Sequence, residues 1–241
     1  MREKLRMKKL PVLLFAMILL CALGSSAYAM PFTFSGSDKG GTGSATMDIS
    51  VSDTTLTAIL DNTSPLTLDS GTGVNAPGIT AFGFDLDPDT LSLDSWTLTA
   101  YSVSGPNMSS NLVTIGGSGS STGDWELTVD GNTNGMKLDY VPNTEKGVKG
   151  ALYNPHVLSG EAALPYYTQA ILTMVFNDTP ILDMTDPYSP FVRMQNVGLD
   201  GQGSLKLPGT PGTPTPEPAT MLLFGTGLVG VAALGRKRLF K

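Results

Sequence analysis

The chain has 241 residues, with 15 Lys and Arg against 21 Asp and Glu, one histidine and one cysteine. One imidazole and one thiol cannot furnish the several soft ligands of a zinc site. A formal charge of −6 speaks against nucleic acid as a partner, because phosphates would be repelled. In chain order, Arg2, Lys4, Arg6, Lys8 and Lys9 come first, residues 10–23 are apolar, and small residues stand at Ala27 and Ala29. That order reads as a secretory signal over residues 1–29, with signal peptidase cutting between Ala29 and Met30. An uncleaved membrane anchor is the alternative, and Met7 is a second candidate start. Cys21 follows Leu20, which is too large for a lipidation site. The mature chain then has no cysteine, so no disulfide, and rests on an ordinary core.

Residues 30–207 form the body, a length that suits one domain. It holds 19 Asp and Glu against 6 Lys and Arg, a strongly acidic balance that the basic ends conceal. No window carries a helical stripe. Residues 45–51 alternate, with Met47, Ile49 and Val51 on one face. Residues 54–60 follow a turn at Ser52-Asp53. Residues 79–86 place Phe82 and Phe84 together, and 95–103 set Trp96, Leu98 and Ala100 against Thr97, Thr99 and Tyr101. Residues 125–129 and 136–141 flank a polar hairpin loop. Residues 168–176 are apolar on both faces, which predicts a central strand buried on both sides, and 191–197 read as the last strand. Strands at this spacing predict an all-β fold, a single β-sandwich or jelly roll, with a β-barrel as the alternative. It is flanked by a signal helix and a C-terminal transmembrane helix. No internal repeat points to a propeller or solenoid.

Residues 208–218 contain five prolines and read as a stiff extended linker of roughly 34 Å at about 3.1 Å per residue. Residues 219–234 carry no charge. As a helix they span about 24 Å, short of the roughly 30 Å hydrocarbon core but able to cross with local thinning. Gly225, Gly227 and Gly230 give that helix a thin face. Arg236, Lys237, Arg238 and Lys241 follow and stay cytoplasmic by the positive-inside rule, which puts the body outside the inner membrane. On these residues alone the tail is a permanent anchor.

Pro216-Glu217-Pro218-Ala219-Thr220, then a short apolar segment, then Arg236-Lys237-Arg238 at the chain end, resemble the PEP-CTERM sorting signal of Gram-negative bacteria. The resemblance covers residues 216–241. Thr215 departs from the apolar residue often found before the motif. The resemblance implies recognition by an exosortase, a membrane cysteine transpeptidase-like enzyme, near Pro216–Pro218. It further implies transient anchoring in the inner membrane, loss of the helix, and release or surface attachment, often where exopolysaccharide is made. Phe191-Val192-Arg193-Met194-Gln195-Asn196-Val197-Gly198 and Gly150-Ala151-Leu152-Tyr153-Asn154-Pro155 are similar to strings in other proteins with this tail, and no activity attaches to them.

Candidate chemistry in the body is sparse. His156 is the histidine a Ser-His-Asp hydrolase would have to use, and no G-x-S-x-G supports it. Asp85, Asp87 and Asp89 alternate at a strand end and are the Ca²⁺ candidates, against a plain solvated turn stopped by Pro88. Glu126, Glu145 and Glu161 form no evident pair for glycoside hydrolysis. Trp96, Trp125, Tyr101, Tyr140, Tyr153, Tyr166 and Tyr167 could stack on sugars, though such residues more often fill a core. Asn62-Thr63-Ser64 and Asn107-Met108-Ser109 match glycosylation sequons that mean little in a bacterial protein. The sequence therefore predicts an exported surface or exopolysaccharide-matrix protein with no catalytic residue and no cofactor. A carbohydrate-binding module and a secreted hydrolase are the alternatives.

Overall fold

The computed structural model describes residues 28–65, 67–69, 73–87, 91–104, 109–118, 125–130, 135–140, 150–155, 166–186, 189–198 and 201–213. The signal segment and the sorting tail lie outside them. Among the described residues no helix is long and apolar enough to cross a membrane.

The described residues form fifteen strands. They are β1 (Tyr28–Asp38), β2 (Gly41–Ser52), β3 (Thr55–Asn62), β4 (Thr67–Asp69), β5 (Gly73–Asn75), β6 (Gly78–Asp87), β7 (Leu93–Ser104), β8 (Ser109–Gly117), β9 (Trp125–Asp130), β10 (Gly135–Tyr140), β11 (Tyr166–Phe176), β12 (Ile181–Leu182), β13 (Phe191–Val197), β14 (Gly203–Pro208) and β15 (Thr210–Pro211). One sheet runs β15-β1-β2-β3-β11-β7-β8. A second runs β14-β13-β6-β10-β9, with β12 also pairing β6, and β4 and β5 pair apart from both.

Period-two alternation builds the first sheet. In β2 and β3, Met47, Ile49, Val51, Leu56 and Leu60 point inward and are buried. Their sequence neighbours Thr46, Asp48, Ser50, Thr57 and Ile59 face outward. Phe82, Phe84, Val192 and Met194 of the second sheet join the same core cluster, so two sheets share one interior, as in a β-sandwich. Each fully buried Leu, Ile or Phe contributes about 1.5–3 kcal/mol relative to exposure. β11 is central, between β3 and β7, but it is not buried on both sides. Tyr166, Thr168, Ala170, Leu172, Met174 and Phe176 are buried and the residues between them are only half-buried. Alternation of Ala and Leu with Ile and Val hid the outward face from the sequence.

Turn chemistry sets the register. Lys39 and Gly40, both at positive φ, form a two-residue loop between β1 and β2. Asp53 (φ 52) begins the equally short turn into β3, one residue later than the sequence suggested. β9 and β10 pair as expected for a hairpin, Tyr140 opposite Trp125. Phe191–Val197 is not the last strand. β14 and β15 follow it, and residues 208–213, which the proline count assigns to a linker, are held in the body.

Three buried polar side chains stitch one end of the two sheets. Asn75 donates through Nδ2 to the carbonyls of Thr42 (3.0 Å) and Pro65 (3.1 Å), and its Oδ1 accepts from Gly198 N (2.8 Å). Asn62 donates to Pro77 O (2.7 Å) and Leu152 O (2.8 Å) and accepts from Ser64 N (3.0 Å). Ser64 Oγ accepts from Ser44 N and donates to Ser44 O. Leu152 also exchanges backbone hydrogen bonds with Ile79 of β6, and the next residue, Tyr153, donates to Tyr167 O of β11, so this short segment bridges the sheets. Gly41 is required here, because a β-carbon would run into Asn75 Oδ1 and Gly198 N.

Asn75→Ala leaves two carbonyls and one amide without partners. At about 1–3 kcal/mol for each unsatisfied group, it should lower unfolding stability by about 3 kcal/mol or more, read as a fall in the urea midpoint. Thr80 is the opposite case. Its Oγ1 is buried with no hydrogen-bond partner among the described residues. Thr80→Val should therefore raise stability by about 1 kcal/mol, and a lowered midpoint would contradict this description of the site.

Candidate functional site

The acidic candidates lie where β6 ends. β12 pairs there, Ile181 opposite Asp87 and Leu182 opposite Leu86, and Asp183 N donates to Asp85 O. Asp183, distant in sequence, is thus brought beside Asp85 by backbone pairing. Its carboxylate is already engaged by the Thr185 hydroxyl (2.7 Å) and amide (2.8 Å). Those bonds, the hydroxyl first, hold the carboxyl below its usual range, so it stays ionised to lower pH than a free aspartate. Asp89 lies outside the described residues. Among those described, no group of three or more acidic, histidine or cysteine side chains could hold a metal.

The aromatic residues separate into core and surface. Trp125, Tyr153 and Tyr166 are buried. Trp125 tilts against Phe82 at 5.6 Å and donates Nε1–H to Gly150 O (3.0 Å). Tyr153 and Tyr166 meet edge to face at 5.9 Å, and burial raises the Tyr166 phenol above its ordinary value. Trp96 and Tyr167 are half-buried against the core. Tyr101 (37% exposed) stands opposite Leu112 (52%) across β7 and β8. The side chain of Tyr140, and all of His156, Glu145 and Glu161, lie outside the described residues; Glu126 is an exposed residue of β9. Among the described aromatic side chains Tyr101 alone is exposed.

The outward face of the larger sheet is instead a field of hydroxyls. Ser50, Thr57, Thr173 and Thr97 stand directly across from one another on β2, β3, β11 and β7. Asp48, Ile59, Ile171, Thr99 and Thr114 form the next row. Asp61 at the border is engaged by the Gln169 amide at 3.0 and 3.1 Å. Successive strands lie about 4.8 Å apart, so the rows present closely spaced hydroxyls and methyls.

Both ends of the body meet at one edge. β1 begins at Tyr28, so the expected cut between Ala29 and Met30 falls inside its first residues, and Met30 already packs against the core. Phe32, fully buried, lies opposite Pro211, and Thr33 opposite Thr210. Gly212 N donates to Pro31 O (2.7 Å) and Gly209 N to Pro190 O (2.7 Å). Gly209 turns the chain from the second sheet into the first, and a β-carbon there would crowd Phe34 and Pro190 at 3.0 Å. This edge escaped sequence reading, although Leu205-Lys206-Leu207 alternates as a strand should. The sorting residues Pro216, Glu217, Pro218, Ala219 and Thr220, and the basic Arg236, Lys237 and Arg238, lie beyond the described residues, as does Ala27.

A family model for the PEP-CTERM protein-sorting motif matches residues 214–238. The chain carries a PEP-CTERM sorting signal. That signal marks an exported protein processed at the membrane by an exosortase-type enzyme. No curated protein and no solved structure matches the chain. The match begins three residues after Pro211, the end of β15, so the PEP-CTERM signal follows that strand closely in sequence.

Thermal unfolding in millimolar Ca²⁺ and in chelator separates a calcium site from a solvated turn at Asp85 and Asp87. A cation at 100 times its Kd would add about 2.7 kcal/mol, and coincident curves would leave the turn. A calcium-dependent rise abolished by Asp85→Asn would show a site completed by residues such as Asp89.

Proposed function

We propose that this is a non-catalytic exported protein of the cell surface or exopolysaccharide matrix. In this reading, signal peptidase removes residues 1–29, the apolar tail holds the chain transiently in the inner membrane, and exosortase action near Pro216–Pro218 frees the body. The sorting motif at residues 214–238 carries the reading. It is supported by how the described polar side chains are used. Asn62, Ser64 and Asn75 satisfy buried backbone groups, and Gln169 and Thr185 engage Asp61 and Asp183. Such side chains serve packing and turns, which suits a structural component. Neither a metal nor a cofactor enters the proposal.

The intact mass of the protein from its own host, with and without the exosortase gene, tests this. A mass ending near Pro216 to Pro218, replaced in the deletion strain by one retaining residues 222–241, is expected. Retention of the tail in both strains would leave a membrane-tethered domain instead.

Carbohydrate binding is the second reading, favoured by the hydroxyl rows bordered by Tyr101. It predicts retention on a neutral polysaccharide, weakened severalfold by Tyr101→Ala and by Thr173→Val. Equal elution of the wild type and both variants would remove it. A secreted hydrolase using His156 has no comparable observation in its favour.

A further inference from the structure

The sorting motif is short of reach. Pro216 lies four residues beyond Gly212, whose amide is bonded to Pro31 O. At about 3.3–3.6 Å per residue, the motif can stand at most about 14 Å from the folded edge. A membrane enzyme that takes its substrate as an extended chain needs free backbone on both sides of the scissile bond. The segment that would have to supply it is Gly209–Thr213, and it is held unusually lightly. Thr210, Pro211, Gly212 and Thr213 are all exposed, so it buries almost no side chain of its own. What holds it is backbone pairing to β1 and the Gly209 contact. The first firm anchor upstream is the end of β14, where Pro208 pairs with Phe191 and Leu207 is 5% exposed in the core.

We propose that residues 209–213 form a strap that must peel from Pro190 and β1 before the sorting motif can be processed, and that closes again afterwards. The proposal rests on the sorting reading above. Opening stops at Pro208, the last residue of β14. It extends the free chain before Pro216 to eight residue steps, about 28 Å at full extension. Segments with exposed side chains and few hydrogen bonds open far more often than the global fold, and cleavage then follows the population of the open form. Closure afterwards covers the Phe32–Thr33 edge of β1, which would otherwise offer unpaired backbone to another chain. The partner is thus an enzyme that binds extended backbone, and the strap sets how often it can bind.

A disulfide lock tests this in the native host. Thr33 and Thr210 are opposite, both exposed, and the sequence after residue 29 has no cysteine. Antiparallel partners about 4.5–5.5 Å apart fall within disulfide range, and an exporting compartment oxidises the pair. Tail removal is followed by pulse-chase for the wild type, each single cysteine variant and Thr33→Cys with Thr210→Cys. The locked chain should be processed at least tenfold more slowly, with both single variants at the wild-type rate and reductant restoring the double variant. Six Gly-Ser residues inserted between Thr213 and Pro214 should rescue the locked chain, which a folding defect would not allow. An oxidised double variant processed at the wild-type rate overturns the strap alone. A wild type that keeps its tail overturns the sorting reading and the strap with it.

Discussion

Two buried asparagines, Asn62 and Asn75, fix how the sheets of this body meet. Each satisfies backbone groups that no strand ladder reaches, among them the carbonyls of Pro65 and Pro77. Asn75 joins the start of β2 to the turn after β13, and Asn62 joins the end of β3 to the segment that bridges β6 and β11. An apolar residue could fill either volume but could not satisfy those donors and acceptors. In a low-dielectric interior each missing bond carries nearly its full desolvation cost. Without a disulfide, this polar seam supplies the directional constraint that apolar packing lacks.

Stability should therefore be uneven. At the seam, buried amides, a glycine with no room for a β-carbon and the central strands β3 and β11 reinforce one another. At the β1–β15 edge, a few backbone bonds hold exposed residues. The contrast suits an exported chain that is processed near its end, because the loose edge adjoins the part an exosortase-type enzyme must handle. The two ends of the body leave the fold as neighbours because β15 pairs antiparallel with Phe32 and Thr33 of β1.

Much of this was legible in the residues. Met47-Asp48-Ile49-Ser50-Val51 is a one-sided strand in sequence and in structure, and the sorting tail is readable as a string because linear recognition needs no fold. What escaped depended on distant partners. Asn62 looked like part of a sequon and is a buried staple, a role set by Pro77 and by Leu152, 90 residues away. Trp125 and Tyr166 stood among seven aromatics that could stack on a sugar or, more often, fill a core, and only packing assigns these two to the core. Thr210 and Pro211 were concealed by proline composition, since an edge strand paired on one side tolerates proline where a central strand would not. Asp183 acquires its neighbour Asp85 through β12, a two-residue strand too short to show a period.

Residue-resolved hydrogen exchange on the full-length protein tests the central claim of a firm seam beside a loose edge. The Gly198 amide, bonded to Asn75, should exchange near the global unfolding limit. The Gly212 amide, bonded to Pro31, should exchange orders of magnitude faster, through local opening. Equal protection at both, or faster exchange at Gly198, would contradict the account.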